Sequence, residues 1–366
     1  MAEEGKTAKP SMPEKKLFSI WKIITPVVIG MAVVAFMFWK DTKKEDVAAV
    51  WHSLHFTPFT WFCLALGVLF MFGRDFGMSW RFRALTGKQL SWKSAYEVCF
   101  LCEFVSCVTP SAVGGSSFGM VFLNTKGIEF GRATALMITT LFMDELFFVV
   151  FCPLVVLLTP GNELFDTGAS GFSAGIKLTF WLIYTGIFIW TAILFIGIIL
   201  RPYWIKAVIG KVFGWRILHR WQGQAESLGD NMVATSRELK SRPFRFWVEI
   251  FVATALSWFS RYLVVNVLFL AFVPGSDSWQ WVILARQLVI WVLLMIGPTP
   301  GGSGLSEWLF SECYGDIVSS AGMALILAVI WRVISYYMYL LIGVIIVPGW
   351  LKNSLEKFHP GVLGKK

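Results

Sequence analysis

The stretch LFMFGRDFGMSWRFRA (residues 69–84) recurs as LSWFSRYLVVNVLFLA (residues 256–271), with an arginine at the same place in both copies. The ungapped register, an offset of 187 residues, continues to a Gly-Gly-Ser triplet at 114–116 and again at 301–303. Twelve of the 48 paired positions are identical, where a chain this apolar would give roughly four by chance. The pattern predicts a duplicated unit.

The composition places this unit in a membrane. Of the 366 residues, 56% are hydrophobic and 15% charged, and the mean hydropathy is +0.66, values typical of chains that lie in a bilayer. The net charge of +9 does not predict a nucleic-acid partner, because the basic residues flank apolar runs as orientation signals. The six cysteines lack metal-ligand spacing, so we expect no metal, no cofactor and no disulfide framework.

Eight apolar runs are candidates for membrane helices. They cover residues 23–39, 58–82, 94–109, 132–158, 178–200, 247–272, 279–297 and 320–347. The first run has no small-residue cleavage site, which predicts a retained signal anchor. Eight simple crossings would place segment 201–246, with nine basic residues against three acidic ones, outside the cell. That contradicts the excess of Lys and Arg expected in cytoplasmic segments.

The conflict disappears if two of the runs are re-entrant hairpins. Residues 94–126 would enter from the cytoplasm and turn at the glycine pair 114–115, and residues 279–315 would enter from outside and turn at the pair 301–302. Cytoplasmic segments then hold 24 of the 32 Lys and Arg, Arg81 included, and external segments hold four. About six helices cross the membrane, both termini are cytoplasmic and the repeats face opposite ways. Inverted repeats of this kind place a binding site near the midplane.

The expected fold is an all-α polytopic membrane protein in which each repeat is helix, helix, re-entrant hairpin, helix. We expect it in the cell (inner) membrane. The segments are a cytoplasmic polar tail (1–18), a first membrane repeat (19–160), a connecting external loop with the first helix of the second repeat (161–200), a basic amphipathic cytoplasmic linker (201–246), the remainder of the second repeat (247–348) and a cytoplasmic tail (349–366).

Proline and glycine interrupt the helix in both repeats, in the strings TPSAVGGSSFG (residues 109–119) and PTPGGSGLSE (residues 298–307). A broken helix at membrane depth leaves backbone groups unsatisfied unless it is buried in protein or lines a water-filled cavity. Helix N-termini after the glycines would also direct partial positive charge at an anionic headgroup. Close helix packing is the alternative role for these glycines. The mirrored pair favours substrate binding, and the candidates are Pro300, Gly301, Gly302, Gly114 and Gly115.

Nine charged residues lie within the expected membrane segments, where an unpaired charge is costly. They are Arg74, Asp75, Glu103, Asp144, Glu145, Arg261, Arg286, Glu307 and Arg332. Arg286 and Glu307 flank the second broken helix, so we assign them to a substrate phosphate and to a cation or proton. Other substrate-binding candidates are Arg74, Arg261 and Arg332, and the candidates for proton or ion coupling are Glu103, Asp144, Glu145 and Glu307. A static ion-pair network is the alternative, and the repeat alignment sets Asp144 opposite Arg332.

The strings PTPGGSGLSE (298–307), IWRVISYY (330–337) and WRFRALTG (80–87) resemble the transmembrane domain of the lysylphosphatidylglycerol synthase family, the flippase-like domain of multiple peptide resistance factors. The resemblance covers about residues 20–350 and implies movement of a phospholipid or a lipid-linked sugar between leaflets. It maps the most specific family motif onto Pro300, Gly301, Gly302, Glu307 and Arg332. The aminoacyl-transferase domain of the bifunctional members does not follow in this sequence, so we expect no synthesis of lysyl-lipid.

We therefore expect a lipid flippase or transporter, and not an enzyme, with membrane phospholipids or a lipid-linked substrate as its partner. No GxxxxGK[ST] motif occurs, so movement would be downhill or coupled to protons. Two alternatives stay open: a secondary transporter of a small soluble anion with the same inverted architecture, and a membrane partner of a separate lipid-modifying enzyme such as a synthase. An intramembrane enzyme lacks support, because no histidine lies in a membrane segment.

Overall fold

A computed structural model describes most of the chain. The described residues are 50–52, 54–109, 113–165, 170–201, 203–204, 206–207, 211, 222–297, 299, 301–302, 304–318 and 320–358. The expected signal anchor at 23–39, the tail at 1–18 and the motif proline Pro300 lie outside these residues, as does most of the linker before residue 222.

Within the described ranges the chain is all-helical, with twelve α-helices and no strand. The helices are α1 (Pro58–Leu85), α2 (Trp92–Val108), α3 (Val113–Thr125), α4 (Phe130–Leu158), α5 (Gly161–Phe165), α6 (Ser170–Phe195), α7 (Gln222–Lys240), α8 (Phe244–Phe272), α9 (Gln280–Leu294), α10 (Leu305–Tyr314), α11 (Ala321–Arg332) and α12 (Met338–Phe358). A π-helical segment, Ile196–Leu200, extends α6, and another, Val333–Tyr337, joins α11 to α12.

Five helical stretches are long and apolar enough to cross a membrane. They are α1, α4, Ala174–Ile198, α8 and Ala321–Lys352. The 28 residues of α1 rise about 42 Å, more than the hydrocarbon core of about 30 Å. The all-α, multi-pass membrane architecture expected from the sequence is therefore confirmed.

Helices α1 and α8, which the repeat relates to each other, pack side by side in antiparallel directions. Thr60 at the start of α1 donates from its hydroxyl to Ala271 O near the end of α8, at 3.5 Å. Trp80 near the end of α1 donates to Glu249 near the start of α8, at 2.9 Å. The interface therefore runs along most of both spans.

Glycine lets the two backbones approach closely in this interface. A Cβ atom on Gly77 would lie 2.7 Å from Ala253 O and 2.9 Å from Ser257 N, distances that real Cβ atoms do not adopt against backbone. A Cβ atom on Gly73 would lie 3.0 Å from Ser260 Oγ. Small residues are what close packing between membrane helices requires.

Helices α2 and α3 form a short antiparallel pair, called hairpin 1. Lys126, just after α3, pairs with Glu97 in the first half of α2 at 2.6 Å, and Gly115 at the start of α3 packs on Ser106 and Cys102 near the end of α2. The 17 residues of α2 and 13 of α3 rise about 25 and 20 Å. Both arms are shorter than the hydrocarbon core of about 30 Å.

Helices α9 and α10 form the second short antiparallel pair, called hairpin 2. Gln287 in α9 donates to the Tyr314 hydroxyl at the end of α10, at 2.9 Å. At the other end Gly302 lies against Leu294. With 15 and 10 residues, these arms rise about 22 and 15 Å. Both stretches that the sequence repeat aligns therefore contain a pair of short helices.

The turns of the two hairpins differ. The sequence predicts a turn at Gly114–Gly115, but α3 already begins at Val113, so this pair lies in the first turn of a helix and the predicted position is wrong. Thr109 ends α2 in an extended conformation, as expected for a residue that precedes proline. In hairpin 2 the turn is where the sequence predicts it, with Gly301 and Gly302 at φ +58° and +68°.

The last span, which comprises α11, Val333–Tyr337 and α12, lies along hairpin 1. The Tyr336 hydroxyl donates to Cys107 O at the turn end of α2, at 3.0 Å. Further along, Gly343 packs directly on the Phe104 ring, and Trp350 donates to Thr125 at the end of α3, at 3.2 Å. The last span therefore follows the hairpin from its turn to its base.

Candidate functional site

Glu307 lies in the first turn of α10, immediately after the glycine turn of hairpin 2, and it is fully buried. Its Oε2 atom accepts from Gly304 N at 2.7 Å and from Ser306 Oγ at 2.9 Å. A carboxylate in the first turn is favoured by the partial positive charge of the helix N-terminus. Gly304 has a φ of +85°, which glycine adopts readily. Local chain geometry therefore positions this charge.

Arg332, at the end of α11, is the counter-ion of Glu307. Its Nε atom lies 2.9 Å from Glu307 Oε1, and its Nη1 atom donates to Gly301 O at 3.0 Å. Both side chains are largely withdrawn from solvent, at 7% and 0% exposure. One arginine thus binds both the carboxylate and the backbone of the turn, and it ties hairpin 2 to the last span.

Tyr336 completes this group, which we call the turn cluster: Gly301, Glu307, Arg332 and Tyr336. The Arg332 guanidinium lies 3.8 Å from the centroid of the Tyr336 ring, within the range of a cation–π interaction. The same ring lies so close to Gly301 that a Cβ atom there would collide with it. Since its hydroxyl bonds Cys107 O, Tyr336 contacts the turn ends of both hairpins.

Sequence reasoning did not select Tyr336, although it stands in the string IWRVISYY beside Arg332. It falls in the π-helical segment Val333–Tyr337, and such insertions often occur at functional sites. The usable signal was an aromatic residue one turn beyond a membrane arginine.

The arginine cluster is a second buried polar group and comprises Arg74, Asp75, Glu103, Arg261 and Tyr339. Glu103 in α2 forms ion pairs with both Arg74 and Arg261, the latter at 3.1 Å. Arg74 also pairs with Asp75 at 2.7 Å, and the Tyr339 hydroxyl donates to Asp75 Oδ1 at 2.8 Å. The two repeat-equivalent arginines thus share one carboxylate, and the repeat counterpart of that carboxylate is Ile290.

The last span connects the two clusters. Arg332, Tyr336 and Tyr339 follow one another at spacings of four and three residues, which places them on one face of a helix. Arg332 and Tyr336 belong to the turn cluster, whereas Tyr339 binds Asp75 and lies 4.8 Å under the Arg74 guanidinium. A movement of this face of the last span would displace residues of both the turn cluster and the arginine cluster.

These clusters lie in a chain with recognisable relatives. Residues 27–343 match the protein family described as the lysylphosphatidylglycerol synthase TM region. The chain belongs to this family. It is also similar to a UPF0104 membrane protein of Archaeoglobus fulgidus, with 23% identity over 337 residues that cover 88% of this chain and 94% of that protein. The match to the family includes both hairpins and the last span as far as residue 343.

Of the motif that the resemblance to the lysylphosphatidylglycerol synthase TM family indicated, the structure brings Gly301, Glu307 and Arg332 into direct contact. Gly302 lies beside them in the turn, against Leu294, and Pro300 is outside the described residues. Most of the family motif therefore meets at a single turn, which the Glu307–Arg332 ion pair joins to the last span.

Arg286, the other substrate candidate of hairpin 2, lies away from this turn. Its guanidinium donates to both carboxylate oxygens of Asp316 at 2.5 and 2.7 Å, to Cys313 O at 2.6 Å and to Glu163 O at 2.6 Å. At 1% exposure it joins the base of hairpin 2 to the α4–α6 connection. The structure thus does not bring Arg286 and Glu307 together.

Asp144 pairs with Arg81, and Arg332, which the repeat alignment sets opposite Asp144, pairs with Glu307. Arg81 donates to Asp144 at 2.6 and 3.1 Å, and Trp258 donates to the same carboxylate at 2.9 Å. Arg81 is 2% exposed, so this pair lies inside the protein. Charge patterning does not distinguish Arg81 from Arg83 in the same helix or from Lys88 just after that helix.

Glu145, a candidate for ion coupling, lines a groove of about 290 Å³ between α4 and α6. Within the described ranges no group of three or more His, Cys, Asp or Glu side chains could hold a metal ion. All six cysteines are buried and free. The polar chemistry of the described membrane region therefore rests on arginines, carboxylates and tyrosines.

Proposed function

We propose that this integral membrane protein moves a phospholipid, or a lipid-linked headgroup, between the leaflets of the cell membrane. The observation that carries the proposal is the turn cluster, in which a broken helix presents a buried Glu307–Arg332 pair where the turn ends of both hairpins meet. An intramembrane charge of this kind marks a substrate or ion pathway by default.

The proposal includes an inverted repeat with cytoplasmic termini. Antiparallel packing of α1 on α8, the helices that the repeat relates, supports opposite orientations of the two halves. Hairpin arms too short to span the bilayer, together with turn ends that share Tyr336, support entry of the hairpins from opposite faces. They would then meet near the midplane, where inverted-repeat transporters bind their substrates.

The chemistry of the turn cluster suits an anionic headgroup. Arg332 can form a charge-assisted bond with a phosphate, and the carboxylate of Glu307 is the group that such a phosphate would displace. Displacement would free the turn at Gly301, whose carbonyl Arg332 also binds. Substrate binding and opening of the contact between hairpin 2 and the last span would then be one event.

The lateral groove between α4 and α6 favours a lipid over a small soluble anion. Its walls are apolar apart from Glu145, and Trp190 and Ile296 on its rim are 46% and 64% exposed. Apolar side chains exposed on membrane helices face acyl chains. A headgroup could therefore pass through the protein while its chains stay in the bilayer.

The test is headgroup accessibility in reconstituted vesicles. A phospholipid with a fluorescent headgroup is quenched by external dithionite only in the outer leaflet, so protein-catalysed exchange makes the inner pool quenchable. Glu307→Gln is expected to slow this exchange about tenfold or more, whereas Glu312→Gln, on the same helix, is expected to retain it. Exchange by the Glu307 variant at the parent rate, or uptake of soluble phosphate without lipid exchange, would reject the proposal.

A further inference from the structure

The groove between α4 and α6 contains one acid. Its lining comprises Glu145, Ile183, Gly186, Ile187, Trp190 and Ile296. Ile296 belongs to the segment that follows α9 and leads into the turn of hairpin 2, so the groove borders this segment. Nothing in the proposed function uses this acid.

Glu145 is the unpaired member of two adjacent acids. Asp144 accepts hydrogen bonds from Arg81 and Trp258. Glu145 is 9% exposed, and its Oε2 atom is buried without a hydrogen-bond partner. The part of the chain that the structure describes gives it no ion pair. Asp144 therefore lies among hydrogen-bond donors, whereas Oε2 of the neighbouring Glu145 has none.

The charged and hydroxyl groups on the neighbouring helices have other partners or lie outside the groove lining. On α1 and α8, Arg81 is bound to Asp144, and Arg261 to Glu103. On α6, the Tyr184 hydroxyl donates to Val149 O, and Lys177 precedes the groove-lining residues by more than one turn. The charge that acts on Glu145 is that of Asp144, a like charge.

An isolated carboxylate in such a place is costly. Transfer of a carboxylate from water into an apolar environment costs far more free energy than transfer of the neutral carboxyl group. A buried acid without a partner therefore binds a proton. Membrane acids of this kind commonly serve in proton relays. The groove geometry, the missing partner and the repulsion from Asp144 all favour the protonated, neutral form of Glu145.

We propose that Glu145 is a proton-binding site that opens to the lipid phase through the α4–α6 groove. The site holds a neutral carboxyl group beside the segment leading into hairpin 2. Its use as the coupling residue rests on the proposed lipid transport, whereas the presence of the protonated site does not.

Dicyclohexylcarbodiimide, an apolar reagent that reaches acids from the bilayer, tests the site in the full chain. A protonated carboxyl group transfers its proton to a carbodiimide nitrogen while its oxygen adds to the central carbon. The acyl group then migrates to nitrogen and gives a stable N-acylurea without loss of any atom. Mass spectrometry of digested protein from reconstituted vesicles locates the adduct.

We expect the adduct on Glu145 and not on Asp144, with labelling that decreases as the pH rises. Glu145→Gln should abolish it, Glu145→Asp should retain it, and a charged water-soluble carbodiimide should label more slowly. An adduct on Asp144, an adduct that persists in Glu145→Gln, equal labelling by both reagents, or no labelling of Glu145 at any pH would overturn the inference. Labelling requires no transport, so a failure of lipid exchange leaves this result readable.

Discussion

Gly73 and Ser260 face each other in the interface between α1 and α8, and 187 residues, the offset of the sequence repeat, separate them. In the proposed inverted repeat a twofold axis relates the two copies, and equivalent positions can touch only close to that axis. The contacts of Thr60 with Ala271 and of Trp80 with Glu249 lie on either side of this point. Arg74 and Arg261, which the sequence repeat aligns with each other, are the next residues on either helix.

Close approach at this interface predicts that Gly77→Val destabilises the protein. The Ala253 carbonyl and the Ser257 amide lie where the new side chain would be, and overpacking of this kind costs about 1 to 3 kcal/mol. Thermal unfolding in detergent measures the loss. Gly175→Ala is the control, because nothing lies within 4 Å of its Cβ position, and an equal loss there would refute the packing argument.

Glu103 is predicted to be the most sensitive acid of hairpin 1. Glu103→Gln removes the carboxylate that pairs with Arg261 and one of the two that pair with Arg74. Breaking a buried pair from one side costs about 3 to 5 kcal/mol. The same change at Glu97, whose pair with Lys126 is a quarter exposed, should cost about 0 to 1 kcal/mol.

A double variant separates charge balance from lost packing at Glu103. Glu103→Gln leaves Arg261 without the carboxylate that it pairs with. Adding Arg261→Met removes this charge, so chemical denaturation should show partial recovery of stability. Additive losses in this cycle would mean that the two side chains do not interact.

The sequence predicts where the charged residues of the site lie along the chain, but not which of them pair. The family motif and the repeat locate Glu307, Arg332 and both hairpins, because a helix break and its flanking charges are adjacent in the chain. The partner of each charge, in contrast, does not follow from the sequence. Arg286 meets Asp316, which lies in a polar loop, and Arg81 meets Asp144. Such choices depend on helix packing, which no spacing of residues encodes.

Arg286 is predicted to act through stability and not through substrate contact. Arg286→Gln and Asp316→Asn each break the bidentate pair at the base of hairpin 2, so both should lower the unfolding temperature. Lipid exchange per folded molecule should change little in either. A loss of exchange confined to the arginine variant, with Asp316→Asn at the parent rate, would restore Arg286 as a substrate ligand.

Tyr336 is predicted to couple the two hairpins through its hydroxyl. Tyr336→Phe keeps the ring under Arg332 but removes the bond to Cys107 O, a loss of about 0.5 to 1.5 kcal/mol. The expected result is a small decrease in stability and a larger change in exchange rate. Tyr337→Phe, the neighbouring residue, is the matched control, and identical effects of the two changes would contradict a coupling role.

Opposite orientation of the two halves predicts that the connections on either side of α6 lie on opposite faces of the membrane. Asn162 in α5 and Ser227 in α7 are both exposed, so Asn162→Cys and Ser227→Cys provide reporters for a membrane-impermeant maleimide. The six native cysteines are buried and should contribute little background, which the parent protein measures. In intact cells the reagent should reach residue 162 alone, and in inside-out vesicles residue 227 alone. Reaction of both from the same side would mean that α6 does not cross the membrane, and the inverted repeat would then have to be abandoned.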